Sequence, residues 1–119
     1  MGHMSLLWLL VLFALVGLMV LRWLAGGGRV SSNGVLEKIK AGATVVDVRS
    51  PGEYQTDAYP GAVNIPVQEL DRRLGELRRD QPIVVYCGSG MRSASAERLL
   101  RSRGFAGVLN AGRLEQMPR

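Results

Sequence analysis

The residues best suited to chemistry form the segment YCGSGMRS, Tyr86–Ser93, which holds the only cysteine of the chain. Gly88 and Gly90 lack a Cβ, so the backbone there can take positive φ and turn its N–H groups around a central atom. These amides, the positive end of the following helix and the guanidinium of Arg92 all favour a negative charge on the Cys87 sulfur. The segment therefore predicts a thiolate nucleophile, since the thiolate is the reactive form of cysteine.

The position of Cys87 relative to the predicted strands separates two interpretations of this thiol. A lone cysteine is usually a small buried hydrophobic residue. Here, however, the β-branched run Pro82–Tyr86 predicts a buried strand of a parallel sheet, and a helix is expected to begin at Ser93. Open α/β sheets bind their ligands at the carboxyl ends of the strands. We therefore expect a reactive thiol at the mouth of a site and not in the core.

A second candidate site residue, Arg49, follows the strand predicted over Thr44–Val48. Arg49 leaves the sheet at the same edge as Cys87 and could reach an anionic ligand there. The alternative is a structural pair with Asp47, because ion-pair networks resemble functional sites in their charges. The sequence favours the structural role and leaves the other open.

The remaining ionisable residues predict no further site. Four carboxylates in polar segments are interpreted as solvated surface: Glu53, Asp57, Glu69 and Asp71. One cysteine and one histidine cannot build a zinc site, so we expect no metal and no cofactor. That histidine, His3, lies within residues 1–3, which we interpret as an expression remnant.

The elements that must position these residues alternate between strands and helices. Weaker strands are predicted at Val30, Ala62–Ile65 and Gly107–Leu109. Three helical patterns are predicted: one containing Val35, Leu36 and Ile39 and ending at Gly42, one with Leu70, Leu74 and Leu77 on one face, and one over Ser93–Arg103 ending at Gly104. This alternation predicts an α/β fold with helices on both faces of the sheet.

The segment from Met4 to Leu21 contains no charged residue and nothing polar beyond Ser5. As a helix it would be ~27 Å long, and its extension to Ala25 covers the ~30 Å hydrocarbon core of a bilayer. A cleaved signal peptide would carry a positive segment before the apolar stretch, and a buried core helix rarely lacks a polar face. We therefore predict one transmembrane helix over residues 4–25.

The charges that flank this span predict its orientation. Arg22, Arg29, Lys38 and Lys40 follow it closely, opposed only by Glu37. By the positive-inside rule we expect a single-pass protein of the inner (plasma) membrane with its soluble domain on the cytoplasmic side. A flexible linker is predicted over residues 26–34 and the soluble domain over residues 30–119.

The net charge of +5 does not by itself predict a nucleic-acid partner. Basic pairs such as Arg72–Arg73 and Arg78–Arg79 are interleaved with acidic residues, and aromatic residues make up only 6% of the chain. A basic domain held beside an anionic lipid leaflet accounts for the charge. The expected partner surface is the lipid bilayer, and no nucleic acid is expected.

Three segments resemble the successive signatures of single-domain rhodaneses: DVRSPGEY (Asp47–Tyr54), YPGAVNIP (Tyr59–Pro66) and VVYCGSGMRSASAERLLRSRGF (Val84–Phe105). They stand in the right order and cover about Val30 to Gly112. The resemblance implies a five-stranded parallel sheet with helices on both faces, and a sulfurtransferase that carries sulfur as a cysteine persulfide. Cys87 would take the outer sulfur of thiosulfate or another sulfane donor. It would then pass that sulfur to a thiol or cyanide, with a sulfur-carrier protein among the candidate acceptors.

Within this resemblance the loop residues receive roles. Cys87 is the nucleophile, and the backbone amides of residues 88–92 would hold the persulfide anion as an oxyanion hole holds oxygen. The expected substrate-binding residues are Gly88, Ser89, Gly90, Met91, Arg92, Ser93 and Arg49. Arg92 would attract the anionic donor, and the hydroxyl of Ser89 or Ser93 could donate a hydrogen bond. Four residues separate Cys87 from Arg92, which favours sulfur transfer, because cysteine phosphatases have five residues there and a wider cradle.

The sequence also departs from the family pattern. Residues 57–62 lack a histidine that many relatives have, and Gly112 stands alone where a Gly–Gly pair is common. We expect the last helix to be shortened. Two alternative functions stay open: a persulfide carrier that receives sulfur from another protein, and a rhodanese-like scaffold without chemistry. The presence of both Cys87 and Arg92 argues against the scaffold.

Overall fold

The computed structural model describes residues 2–26 and 32–118. The described helices and strands, in chain order, are α1 (Gly2–Gly26), α2 (Ser32–Lys40), β1 (Thr44–Asp47), α3 (Pro51–Thr56), β2 (Val63–Asn64), β3 (Ile83–Cys87), α4 (Met91–Ser102) and β4 (Val108–Arg113). Short 3₁₀ helices cover Val67–Glu69, Asp71–Glu76 and Leu114–Gln116.

The described strands form one parallel sheet in the order β2-β1-β3-β4. This confirms the predicted α/β class. The expectation of five strands is wrong for the described residues, where the sheet has four. The candidate for a further strand, Val30, lies outside the described residues. In this strand order β1 and β3 are parallel neighbours although they are far apart in the chain. Their carboxyl ends therefore meet at one edge of the sheet.

The alternation of side chains along the strands builds a hydrophobic layer on each face of the sheet. On one face, Val46 and Val85 pack with Leu100 of α4 and with Leu70. On the other face, the intervening strand residues pack with Val35 of α2, with Leu114 and with Met117. Both faces of the sheet are therefore covered, as the sequence predicted.

Several predicted helices begin or end elsewhere. Leu70 lies between two short 3₁₀ helices, and Leu74 lies within the second of them, so the two residues do not share one α-helix. The chain kinks at Arg73. Residues 32–34 of the predicted linker already belong to α2, and the other linker residues after position 26 lie outside the described residues. Helix α4 starts at Met91, before the predicted Ser93, and is followed by Gly104 at φ 91°, the left-handed residue expected there.

Helix α3 was not predicted, although its signal is local. Ser50 and Glu53 form a capping box, and Pro51 occupies the first turn, where its missing N–H costs nothing. The helix has only six residues, too few for an apolar periodicity to show. It turns the chain back across the edge at which β1 and β3 end, and this places Glu53 near the cysteine loop.

Helix α1 runs over 25 residues, and its side chains over residues 5–22 are exposed. Its segment Ser5–Arg22 is long and apolar enough to cross a membrane, and none of that segment is buried against the rest of the chain. The alternative of a buried core helix therefore does not hold. Crossing of a bilayer, the side on which the domain lies and the expression-remnant interpretation of residues 1–3 stay predictions.

Candidate active site

Cys87 is the last residue of β3, so the loop that follows it stands at the carboxyl edge of the sheet, as predicted. Its side chain, however, is not at an open mouth: Cys87 is fully buried and packs with the core residues Val48 and Ala96. The expectation of a thiol at the mouth of the site and not in the core is wrong, because the loop from Gly88 to Ser93 folds back over the sulfur. The thiol that the sequence predicts to be reactive is therefore buried.

Two groups of the loop contact the Cys87 sulfur directly. The N–H of Gly90 donates to Sγ at 2.9 Å, and the Ser93 hydroxyl lies 3.4 Å from Sγ. Gly90 has φ 92°, in the left-handed region that a residue with a Cβ rarely adopts. This glycine turns the loop amides towards the sulfur, as predicted for Gly90. The same expectation for Gly88 is wrong, because Gly88 does not have a positive φ.

The environment of Cys87 acts on its pKa in two opposing directions. Burial raises the pKa of the thiol, since a charged sulfur loses its hydration. Hydrogen bonds from the Ser93 hydroxyl and from the amides of Ser93, Gly90 and Ser89 outweigh this effect, and the net pKa lies below the ordinary value for cysteine. The Ser93 hydroxyl is also within reach of the Gly90 carbonyl at 3.1 Å, so it can turn from that carbonyl to the sulfur when the thiol ionises.

Arg92, the predicted anion-binding arginine, is already paired. Its Nη1 and Nη2 donate to the two carboxylate oxygens of Glu53 at 2.7 and 3.1 Å. The same hydrogen bond holds the pKa of Glu53 at about 2, against the cost of partial burial. Glu53, interpreted from the sequence as a solvated surface carboxylate, is 39% exposed, and its contact with Arg92 was not predicted. The sequence feature that could have indicated the position of Glu53 is the capping box, which fixes α3 directly after β1.

Gly88 permits this ion pair to lie against the loop. A Cβ placed on Gly88 would come within 3.0 Å of Arg92 Nη2 and 3.3 Å of Glu53 Oε2. Contacts that short require a neighbour to move, and both neighbours are fixed to each other. The absence of a side chain at position 88 thus serves close packing, while Gly90 serves the turn.

Arg49 is held in a buried network at the end of β1. Its guanidinium donates to both oxygens of the fully buried Asp47 at 2.7 to 3.1 Å and to the Asp57 carbonyl. Tyr86 donates its hydroxyl to Asp47 at 2.8 Å and accepts the N–H of Tyr59 at 3.0 Å. Burial, with the Asp47 carboxylate adding to it, raises the pKa of Tyr86 to about 12. This geometry favours the structural role of Arg49.

The other predicted loop residues differ in exposure. Met91 is 77% exposed at the start of α4, so it borders the loop from outside. Ser89 accepts the N–H of Met91 through its hydroxyl oxygen at 3.4 Å. Ser93 is fully buried and is the hydroxyl that reaches the sulfur. Of the two serines that the sequence could not separate, the structure places Ser93 at Cys87.

These contacts define what the site can do chemically. A sulfur anion at Cys87 would meet N–H and O–H donors, and among the described residues no titratable base is hydrogen-bonded to this sulfur. Such donors hold charge that develops on an atom in a water-poor site and need no reorganisation during the reaction. The arrangement fits a nucleophilic sulfur that forms and releases a covalent bond to another sulfur.

Comparison with known proteins agrees with this geometry. The family model described as Rhodanese-like domain matches residues 32–113. Over 74 residues the chain is 36% identical to Thiosulfate sulfurtransferase PspE of Escherichia coli, covering 60% of this chain and 71% of that protein. Over 66 residues it is 39% identical to the Putative sulfur carrier protein YrkF of Bacillus subtilis, covering 56% of this chain and 36% of that protein.

A solved structure described as rhodanese with anions, from E. coli, superposes with a TM-score of 0.60 at 35% identity. The match covers 64% of this chain and 94% of that one. The match covers a smaller share of other relatives: it spans 61% and 36% of the length of two curated Bacillus subtilis proteins. The contacts of Cys87, Glu53 and Arg92 described above are features of this chain and do not depend on these matches.

Proposed function

The chain belongs to the rhodanese-like domain family, and from that premise we propose that it is a membrane-anchored sulfurtransferase that carries sulfur as a Cys87 persulfide. The observation that carries the proposal is the buried Cys87 sulfur, which receives the Gly90 N–H at 2.9 Å and has a lowered pKa. The PspE relative, whose name states thiosulfate sulfurtransferase activity, supports thiosulfate as a donor.

The proposed reaction has two balanced steps. First, the Cys87 thiolate attacks the outer sulfur of thiosulfate; a bond forms between Sγ and that sulfur, and the sulfur–sulfur bond of thiosulfate breaks. The electron pair of the broken bond leaves with sulfite, and Cys87–S–S⁻ remains. In the second step cyanide or a thiolate takes the outer sulfur, and Cys87 leaves as the thiolate. No net oxidation of the protein occurs over the cycle, and splitting the transfer in this way produces ping-pong kinetics.

The loop residues have defined roles in this cycle. The Gly90 amide and the Ser93 hydroxyl stabilise the thiolate before attack and receive it again afterwards. The donor's outer sulfur must enter the loop, because the Cys87 side chain is buried. Once there, the amides of residues 88–92 are the donors available to the persulfide anion. Glu53 is a positioning residue in this scheme, since it fixes Arg92 against Gly88.

The decisive experiment uses the full chain, purified in detergent and incubated with thiosulfate, and measures its intact mass. We expect a gain of one sulfur atom, its loss when cyanide is added, and the release of thiocyanate. The variant Cys87→Ser should gain nothing. A folded and reduced wild-type chain that gains no sulfur from thiosulfate would sink the proposed donor.

A persulfide carrier is the second candidate, and the likeness to the putative carrier YrkF supports it. A carrier would react slowly with small donors and would receive sulfur from a protein persulfide. Incubation with a persulfidated protein donor, followed by intact mass, separates the two functions. Sulfur uptake from that donor alone identifies the carrier, and uptake from thiosulfate at a higher rate identifies the enzyme.

Membrane attachment rests on α1, whose apolar segment Ser5–Arg22 is exposed. We propose that α1 crosses the inner membrane and holds the domain on the cytoplasmic side, as the flanking charges predict. The test is carbonate extraction of membranes that contain the full chain or a chain without residues 4–25, followed by protease treatment of sealed vesicles of known orientation. Extraction of the full chain by carbonate contradicts the span, and protection of the domain on the wrong side contradicts the orientation.

A further inference from the structure

A cavity of about 340 Å³ lies beside the cysteine loop, lined by Ser89, Gly90, Asn110, Gly112, Arg113 and Gln116. Two of its residues connect it to the sulfur. The N–H of Gly90 donates to Cys87 Sγ, and Arg113 is the register partner of Cys87 in the ladder between β3 and β4. The cavity therefore adjoins the loop on its β4 side.

The polar side chains that line this cavity offer donors. Asn110 Oδ1 accepts the N–H of Gly112 at 2.9 Å, and Gln116 Oε1 accepts the N–H of Arg113 at 3.0 Å. Because both amide oxygens are engaged by the backbone, the NH₂ groups are the ends left to bind a ligand. Ser89 likewise uses its oxygen as an acceptor and keeps its O–H to donate. A cavity lined by N–H and O–H hydrogen-bond donors is suited to binding an anion.

The arginines at this edge of the sheet differ in how far a carboxylate neutralises them. Arg49 and Arg92 each meet a carboxylate at 2.7 Å, and both carboxylate oxygens are engaged. For Arg113, the carboxylate within 4.0 Å among the described residues is Glu115, at that full distance, and both side chains are more than half exposed. Exposed pairs of this kind contribute little. Arg113 thus has a positive charge to offer to a ligand.

We propose that this cavity is the anion subsite of the sulfur-transfer site and that Arg113 determines its preference for doubly charged donors. The inference rests on the proposed function and replaces Arg92, which Glu53 neutralises, as the arginine that meets the donor. The oxyanion end of a thiosulfate-like donor lies in the cavity between Arg113 and the amides of Asn110 and Gln116. Its outer sulfur then points past Gly90 to Cys87.

The test compares two donors that react in the same way but differ by one charge. Thiosulfate is a dianion, and methanethiosulfonate is a monoanion in which a methyl group replaces one oxygen. For Arg113→Gln, measured on the full chain in detergent, we expect kcat/KM for thiosulfate to fall about ten-fold, as for the loss of one charge-assisted hydrogen bond. The fall for methanethiosulfonate should be clearly smaller. Alkylation of Cys87 by uncharged iodoacetamide should keep its wild-type rate.

Two matched variants control for charge alone. Arg78→Gln removes a positive charge that precedes β3, at the opposite edge of the sheet, and should leave both donors unaffected. Glu115→Gln removes the carboxylate that competes for Arg113 and should keep or raise kcat/KM for thiosulfate. A loss in Arg78→Gln equal to that in Arg113→Gln would assign the effect to net charge and overturn the subsite.

The outcomes separate the inference from the function on which it rests. If the wild-type chain reacts with both donors and Arg113→Gln reacts equally well, or loses the same factor with both, the subsite is overturned and the sulfurtransferase stands. If the wild-type chain reacts with neither donor, the proposed function is overturned, and the binding measurement that follows decides separately whether Arg113 binds the anion. Binding of thiosulfate to Cys87→Ser by calorimetry, tenfold weaker with Arg113→Gln added, supports the subsite independently of turnover.

Discussion

Two arginine–carboxylate pairs lie at the same edge of the sheet and differ chiefly in burial. Asp47–Arg49 follows β1, with side-chain exposures of 0% and 8%. Glu53–Arg92 spans α3 and the cysteine loop, with exposures of 39% and 34%. The distances of the closest contacts are equal, at 2.7 Å. The N–O distance therefore does not distinguish the two pairs, whereas their burial and their neighbouring groups do.

The buried pair is enclosed by groups that complete its hydrogen bonds. Tyr86 donates to Asp47, and the Asn64 amide donates to the carbonyls of Asp47 and Arg49 at 3.0 and 2.9 Å. Within the described residues, no buried side-chain nitrogen or oxygen lacks a partner. Such a pair costs much to break, because removing one member leaves an uncompensated charge in a dry environment. Its role is to lock β1, β2 and β3 together at the edge where the loop stands.

The half-exposed pair instead borders the loop that covers the Cys87 sulfur. It lies over Gly88 and retains contact with water, so its contribution to stability is screened. The donors that act on the Cys87 sulfur are neutral, namely the Gly90 amide and the Ser93 hydroxyl. At this edge the buried Asp47–Arg49 pair completes a hydrogen-bonded network. Neutral donors contact the Cys87 sulfur directly, and the nearby Arg92 charge acts on it through space.

The difference between the two pairs can be tested by mutation, and the largest loss of stability is expected at the buried pair. Asp47→Asn leaves the buried Arg49 guanidinium without its counter-charge, and we expect the free energy of unfolding to fall by about 3–5 kcal/mol. The measurement is urea unfolding in detergent followed by circular dichroism. Asp80→Asn, which breaks an exposed pair with Arg78, is the control and should leave the urea midpoint nearly unchanged, because solvent screens exposed pairs. Equal losses in the two variants would contradict the assigned difference.

An intermediate effect is expected at the sulfur itself. Ser93→Ala removes the hydroxyl that opposes the effect of burial, so the pKa of the Cys87 thiol should rise. The rate of alkylation by iodoacetamide at pH 7 should fall roughly three- to ten-fold, as for the loss of one hydrogen bond. The measurement is the pH profile of alkylation. Ser95→Ala, on the exposed side of the same helix, should leave the profile unchanged, and an unchanged profile in Ser93→Ala would refute the role of the hydroxyl.

The smallest effect is expected at the half-exposed pair, and it depends on pH. The pKa of Glu53 is lowered from 4.5 to about 2, so its stabilisation is present above pH 4.5 and is lost as the pH falls towards 2. Glu53→Gln should therefore destabilise the domain at pH 6 by no more than about 1 kcal/mol, a value reduced by solvent screening.

The measurement for Glu53→Gln is the difference between its urea midpoint and that of the wild-type chain at pH 6 and at pH 3. We expect the difference to shrink at the lower pH. A difference that grows on acidification would show that the carboxylate acts through a group other than Arg92.

The sequence predicted the class of fold because strand runs and capping signals are local. The runs around Val45 and Val84 and the left-handed turn at Gly104 need only neighbours in the chain to be recognised. It did not predict the 3₁₀ geometry around Leu74, since the spacing of leucines fits both helix types over so short a stretch. It missed α3 for the same reason of length.

The sequence by itself determined which residue is the candidate nucleophile and where the turn beside it lies. One cysteine, followed by glycines and a helix, already specifies a sulfur surrounded by amides, because positive φ at Gly90 is a local property of glycine. The predicted importance of the Cys87–Ser93 segment came from these local constraints, and the contacts at Sγ agree with it.

Only the tertiary structure decided which charged groups meet. Glu53 and Arg92 are 39 residues apart and Asp47 and Tyr86 likewise, so no local spacing links them. The parallel order of β1, β3 and β4 brings their carboxyl ends to one edge and leaves Arg113 beside the loop. The Asp47–Arg49 pair, by contrast, joins residues two positions apart and was open to prediction from the sequence. Electrostatic roles follow from distance in space, and a sequence specifies that distance only through the fold.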